Sequence, residues 1–174
     1  MKVLAPAYIG IGSNLDDPLR QVEAAFGAIA RIPRTRLVAR SRLYASRPFG
    51  PVVQGDFVNA VAGVLTELSP HELLAQLNAI EKAHGRVRAV HWGPRVIDLD
   101  LLVHGESHLQ TEELTLPHPG IVERNFVLYP LKDVAPDLEI PGKGRVSQLA
   151  ERLSGDGIHV VADAPGRLPE RSQS

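Results

Sequence analysis

The spacing of apolar positions changes period several times along the chain, and each change marks an element. Ala7 to Ile11 is a short apolar run closed by Gly12-Ser13-Asn14, a strand ending in a turn cluster. Asp17-Pro18 then opens a helix, with the acid at the cap and proline at the first helical position. Val22, Ala25, Phe26 and Ile29 fall at i, i+3, i+4 and i+7, one helical face that ends by Pro33. Thr35 to Ala45 reads as a strand with Arg36, Arg40 and Arg42 pointing outward. A loop rich in breakers, 46–51, separates it from a third strand over Asp56 to Thr66. Ser69-Pro70-His71-Glu72 is a capping box that starts a second helix striped by Leu73, Leu77 and Ile80 and stopped by Gly85. A strand containing Asp98 and Asp100 follows. The order β-α-β-β-α-β predicts an α+β, ferredoxin-like antiparallel sheet with both helices on one face. The opposite face is then free to carry a site. Leu114 to Val161 adds a helix near Val127 to Val134 and a short terminal hairpin or helix-strand pair.

The last core strand poses a chemical question. In WGPRVIDLDLLVHG, residues 92 to 105, apolar residues surround two aspartates. Strand alternation sends Ile97, Leu99 and Leu101 one way and Asp98 and Asp100 the other, the two carboxylates roughly 7 Å apart by Cα spacing. Like charges this close need something positive beside them. The pattern alone admits a solvated strand face, a pair matched by arginines, or a hard divalent cation held by oxygen ligands, Mg²⁺ being the natural one. Arg86, Arg88, His91 and Arg95 immediately precede the pair. They form either a solvated basic loop or a clamp spreading guanidiniums over phosphate oxygens.

Composition narrows the partners. The 174 residues carry 19 basic and 20 acidic side chains, a net charge of −1, so no global field draws the chain to nucleic acid or membrane. Any polyanion site is local. Cysteine is absent, which excludes a disulfide scaffold, a thiolate metal site and a cysteine nucleophile. No run approaches membrane-spanning length, and MKVLAPAYIGIGSN is too briefly apolar for a signal peptide. The expectation is a cytoplasmic monomer with one domain over 1–164 and a polar, disordered tail over 165–174.

Other positions suggest a ligand. Phe57 and Asn59 stand at i and i+2 of one strand. The pair can stack a flat heterocycle and read its edge, although Phe57 alone would be ordinary core. Trp92 and Phe126 are further candidate stackers. His118, between Pro117 and Pro119, suits a hydrogen-bonding role, since no H-x-x-x-H pair suggests zinc. Neither a P-loop nor a G-x-G-x-x-G turn is present, so a nucleotide must be held by side chains and metal. A ferredoxin-like nucleic-acid module would want a basic sheet face. A D-x-D nucleotidyl- or glycosyltransferase would want a larger chain.

Together these residues resemble the 6-hydroxymethyl-7,8-dihydropterin pyrophosphokinase family. The matches are YIGIGSNL at 8–15, YASRPFGPVVQGDFVN at 44–59, IEKAHGRVR at 80–88, HWGPRVIDLDLL at 91–102, LTLPHP at 114–119 and ERNFVLYPLKDVAPD at 123–137. The resemblance implies the ferredoxin-like fold. It also implies Mg²⁺-dependent transfer of pyrophosphate from ATP to the pterin hydroxymethyl oxygen, releasing AMP, in folate biosynthesis. It matches Asp98 and Asp100 to carboxylates holding two Mg²⁺ ions, and Arg86 and Arg95 to stabilisers of transition-state charge. Phe57 and Phe126 match rings that sandwich the pterin, Asn59 the amide that reads it, and Ser46, Phe49 and Trp92 further pterin contacts. Asn78, Glu81, Arg88, His91, Trp92, Arg95, Leu101, Thr115, His118 and Arg124 match the ATP side. Phe57 replaces a frequent tyrosine, and Asn78 stands where some members have glutamine.

Overall fold

The computed structural model describes residues 3–14, 17–46, 57–84 and 97–162. In chain order these form β1 (Ala5–Ser13), α1 (Pro18–Ala30), β2 (Thr35–Arg40), β3 (Leu43–Ser46), β4 (Phe57–Thr66), α2 (Pro70–Ala83) and β5 (Asp98–His104). Next come β6 (Leu109–Gln110), β7 (Thr115–Leu116), α3 (Asn125–Val134), β8 (Glu139–Ile140), β9 (Gly144–Arg145), α4 (Val146–Glu151) and β10 (Ile158–Ala162). The main sheet runs β10-β3-β4-β1-β5, and β2 also pairs with β4. Its pairings are antiparallel. This is the expected ferredoxin-like arrangement, with β10 added at one edge. The terminal helix-strand pair is α4 followed by β10.

The single strand expected over Thr35 to Ala45 is two strands. A bulge between Leu37 and Ala39 interrupts β2 against β4, and Ser41 and Arg42 separate β2 from β3. There the Ser41 N–H donates to the Val61 carbonyl at 3.0 Å, and the Val61 N–H donates to Ser41 Oγ at 2.8 Å. A hydroxyl thus fills the ladder position that a backbone carbonyl has left. The bulge also inverts the alternation, so Arg40 does not point outward. Its guanidinium lies 4.2 Å from the centroid of the Phe26 ring and donates to Glu23 at 2.8 Å. A second local expectation also changes. Asp17 precedes α1 at φ 63 and makes no side-chain cap, whereas the Ser69–Glu72 capping box forms in full.

Two cores share the sheet. On one face Ile9 and Ile11 of β1, Ala60, Ala62 and Val64 of β4, and Leu99 and Leu101 of β5 pack against Val22, Phe26 and Ile29 of α1 and Leu73 and Leu77 of α2. The other face is not bare. Val61 and Leu102 pack there with Val127, Leu128 and Leu131 of α3 and Val146 and Leu149 of α4. The face expected to be free for a site is partly covered, because α3 carries its own apolar stripe, which needs a partner. Among the described residues, no helix is long and apolar enough to cross a membrane.

Candidate active site

The strand registers assemble the site. Gly12 in β1 stands opposite Asn59 in β4 and opposite Asp98 in β5, and Tyr44 in β3 stands opposite Asn59. One rung along, Gly10 is flanked by Val61 and Asp100. Cross-strand partners share a face. Tyr44, Asn59, Gly12 and Asp98 therefore form a row across four strands, on the side opposite α1 and α2, with Asp100 two residues beyond Asp98. The same alternation puts Phe57 beside Asn59, opposite Ser46. The sequence pairing of Phe57 with Asn59, and of Asp98 with Asp100, is realised on a single face.

Asn59 and Ser46 are each 6% exposed. The Asn59 Nδ2 donates to Ser46 Oγ at 2.6 Å, which turns Oδ1 toward Gly12, where a built Cβ would lie 3.3 Å away. Phe126, in the first turn of α3, is partly buried against the second core. Its helix is tied to the sheet by residues that sequence reading passed over. Arg42 donates to both carboxylate oxygens of Asp133, at 3.1 and 3.0 Å, and to the Tyr44 hydroxyl at 3.0 Å. The Tyr44 hydroxyl donates to Asp133 at 2.8 Å. Burial first, and then the Asp133 carboxylate, push the Tyr44 phenol up to about 12. The hydrogen bond to Asp133 likewise raises Arg42. Tyr44 and Asp133 are far apart in the chain, and no local pattern links them.

The nucleotide-side residues divide. Glu81, 5% exposed on α2, accepts the Leu99 N–H at 2.8 Å and so grips β5 between the two aspartates. Leu101 is 2% exposed and packs in the helix-side core. Its side chain lies on the opposite face from the aspartates, so only its backbone is on the strand that bears them. Asn78 is exposed on α2. Thr115 pairs with Gln110 between β6 and β7. His118 Nδ1 accepts the Gly120 N–H at 3.1 Å, which leaves Nε2 to carry the proton in the neutral ring. Burial, then the neighbouring Arg124, lower its pKa. Arg124 caps the start of α3, and its guanidinium carbon is 5.8 Å from the Phe126 ring centroid. Arg86, Arg88, His91, Trp92, Arg95, Phe49 and the 165–174 tail lie outside the described residues.

The donor set suits a hard cation. Two carboxylates sit on one polar face, Asp98 half-buried and Asp100 exposed. Among the described residues, no group of three or more His, Cys, Asp or Glu side chains gathers into a closed cage. Mg²⁺ is typically held this way, by one or two carboxylates with water and substrate phosphates completing the shell.

The family model for 7,8-dihydro-6-hydroxymethylpterin-pyrophosphokinase (HPPK) matches residues 8–136. A 2-amino-4-hydroxy-6-hydroxymethyldihydropteridine pyrophosphokinase of Pseudomonas aeruginosa is 48% identical over 157 residues, 90% of this chain and 97% of that protein. The enzyme of the same name from Haemophilus influenzae is 45% identical over 148 residues, 85% and 92% of the two chains. Among solved structures, the HPPK-DHPS protein of Plasmodium falciparum superposes with a TM-score of 0.65 at 14% identity over 87% of this chain. Another HPPK-DHPS structure, in complex with substrates, gives 0.67 at 11% identity, also over 87%. This chain spans less than half the length of either fused protein, 44% and 43%, and at these identities the likeness bears on the fold. The chain belongs to the 7,8-dihydro-6-hydroxymethylpterin-pyrophosphokinase family, ATP-dependent pyrophosphokinases acting on hydroxymethyldihydropterin in folate synthesis.

Proposed function

We propose that the protein transfers the terminal pyrophosphoryl group of ATP to the hydroxymethyl oxygen of 6-hydroxymethyl-7,8-dihydropterin, with Mg²⁺, and releases AMP. The observation that supports this best is the shared face: Phe57, Asn59, Asp98 and Asp100 occupy one side of the sheet, and α3 brings Phe126 to the same side. The pterin ring lies between Phe57 and Phe126, with Asn59 accepting from its polar edge. Ser46, Phe49 and Trp92 complete that pocket. Asp98 and Asp100 hold Mg²⁺, two ions in this reading, which when bound neutralise the carboxylates and the triphosphate oxygens. Asp98 also orients the attacking hydroxyl.

The hydroxymethyl oxygen forms a bond to the β-phosphorus and gives up its proton to solvent. The bond from that phosphorus to the bridging oxygen of AMP breaks, and the electron pair leaves with AMP. Charge therefore builds between the α- and β-phosphates, where Arg86 and Arg95 act as donors. Arg88, His91, Thr115, His118 and Arg124 serve the nucleotide. Glu81 steadies the strand that bears the aspartates.

Incubation with ATP, Mg²⁺ and the hydroxymethyl-dihydropterin, followed by chromatographic separation of nucleotides, tests the reading. AMP is expected one-for-one with pterin consumed and only in its presence. ADP as the stoichiometric product refutes it.

A further inference from the structure

We infer that Asn125 is a positioning residue for the ring-stacking side of this site: its amide clamps the loop 153–157 and thereby sets Phe126, the next residue, against Ser46 and Asn59 of the sheet. The inference rests on the function proposed above. Asn125 is the first residue of α3, and its cap residue, Arg124, makes no side-chain bond to the helix. Asparagine is a weaker helix former than alanine and favours the cap, where its oxygen accepts a backbone N–H. One place past the cap, Asn125 does the reverse. Its Nδ2 donates to the Ser154 carbonyl at 2.8 Å and to the Asp156 carbonyl at 3.2 Å. A primary amide carries two N–H groups on one nitrogen, one for each carbonyl. A carboxylate of the same shape offers none, and a hydroxyl only one.

The loop so held joins the helix that bears Phe126 to the strand that bears Ser46. Tyr129 follows Asn125 by four residues, on the same face of α3, and its hydroxyl donates to the Leu153 carbonyl at 2.9 Å. The loop packs on the Tyr129 ring at Gly155, where a built Cβ would stand 3.5 Å from it. Within the loop the Asp156 N–H donates to Ser154 Oγ at 3.0 Å. The chain then enters β10, whose first residue, Ile158, stands opposite Ser46 in β3. Ser46 in turn accepts from Asn59 at 2.6 Å. Phe126 is therefore tied to Asn59 by a second route, through the Asn125 amide, the loop and β10, besides the docking of α3 on the sheet. The Arg42–Asp133–Tyr44 triangle fixes the far end of α3, and the Asn125 clamp fixes the end that bears Phe126. The nucleotide-side residues Glu81 and Thr115 lie on α2 and β7, off this route.

The test is calorimetric titration of wild type, Asn125→Ala and Asn125→Asp, alongside melting temperatures. One arm titrates Mg²⁺ and an ATP analogue with a methylene between the α- and β-phosphates, which blocks transfer. The other titrates the hydroxymethyl-dihydropterin into protein already holding that analogue. Alanine keeps the helix and removes the clamp, and aspartate keeps the shape of the side chain and removes the donors. Both variants are expected to weaken pterin binding by about fivefold or more, with affinity for the analogue kept. Wild-type pterin affinity in either variant overturns the inference alone. Equal loss of both ligands, or failure of either variant to fold, also overturns it, since Asn125 would then serve the fold at large. Wild-type protein that binds no pterin overturns the proposed function and this inference with it.

Discussion

His118 shows how one side chain can tie pH to folding. Burial and Arg124 hold its imidazole below the ordinary range, so near pH 6.5 the unfolded chain binds more protons there than the folded protein. Stability then rises with pH. The contribution is complete above the unfolded value of about 6.5 and is lost as pH falls through the lowered folded value. Melting temperatures between about pH 5 and 7 should climb more steeply for wild type than for His118→Gln. Parallel profiles would show that the ring does not carry the dependence. A second residue-scale expectation concerns Asp98→Asn, which removes one of two like charges from a shared face. The fold should persist while turnover falls by at least about a hundredfold, ~3 kcal/mol of transition-state stabilisation. Steady-state rates across a Mg²⁺ titration check this, and near wild-type turnover at limiting Mg²⁺ would contradict it. The carboxylate pair and the Phe57–Asn59 pair were legible because strand alternation alone puts i and i+2 on one face. Glu81 entered only through the family resemblance, as a nucleotide-side position. Its bond to the Leu99 N–H was not legible, since it joins a helix to a strand through backbone geometry that no spacing rule encodes.

Elements with strong local signals follow the sequence, and those shaped by tertiary contacts depart from it. The Ser69–Glu72 capping box holds at both hydrogen bonds. Ser69→Ala should lower stability by about 1 kcal/mol, read as a shift in urea midpoint at unchanged m-value. The split of β2 from β3 was not legible. It depends on a bulge and on a hydroxyl that replaces a carbonyl in the ladder, and a run of alternating residues does not announce either. The position of α3 was hidden for another reason. Its apolar stripe predicted a helix, but the docking partner is the sheet face, fixed in part by the Arg42–Asp133–Tyr44 triangle. Asp133→Ala should cost about 1–3 kcal/mol by leaving the buried end of that triangle unsatisfied. Because α3 bears Phe126, pterin affinity should fall more than ATP affinity. Denaturant unfolding and separate titrations of the two ligands measure the two effects, and equal loss for both ligands would contradict the link.

At the scale of the molecule, one sheet serves two cores. β4 and β5 each contribute to both, with Ala60 and Leu99 on one side and Val61 and Leu102 on the other. Neither core can loosen without disturbing strands the other needs. Far-ultraviolet circular dichroism and fluorescence of the single tryptophan should therefore report one coincident unfolding transition. Separated midpoints would mean that the halves melt independently.

The two cores also differ in when they become available. Apart from its sheet residues, the core beneath α3 draws on Ile121, Val127, Leu128, Leu131, Ile140, Val146, Leu149 and Ala150, all made after the sheet's central strands. At roughly 5–20 residues per second, α3 leaves the ribosome several seconds after β4. During that interval a nascent chain has its helix-side core in hand while Val61 and Leu102 still face water. A stalled chain ending near residue 116 should bind a hydrophobic dye that the finished protein excludes. For those seconds the apolar part of the sheet that α3 will cover is the surface a chaperone would recognise.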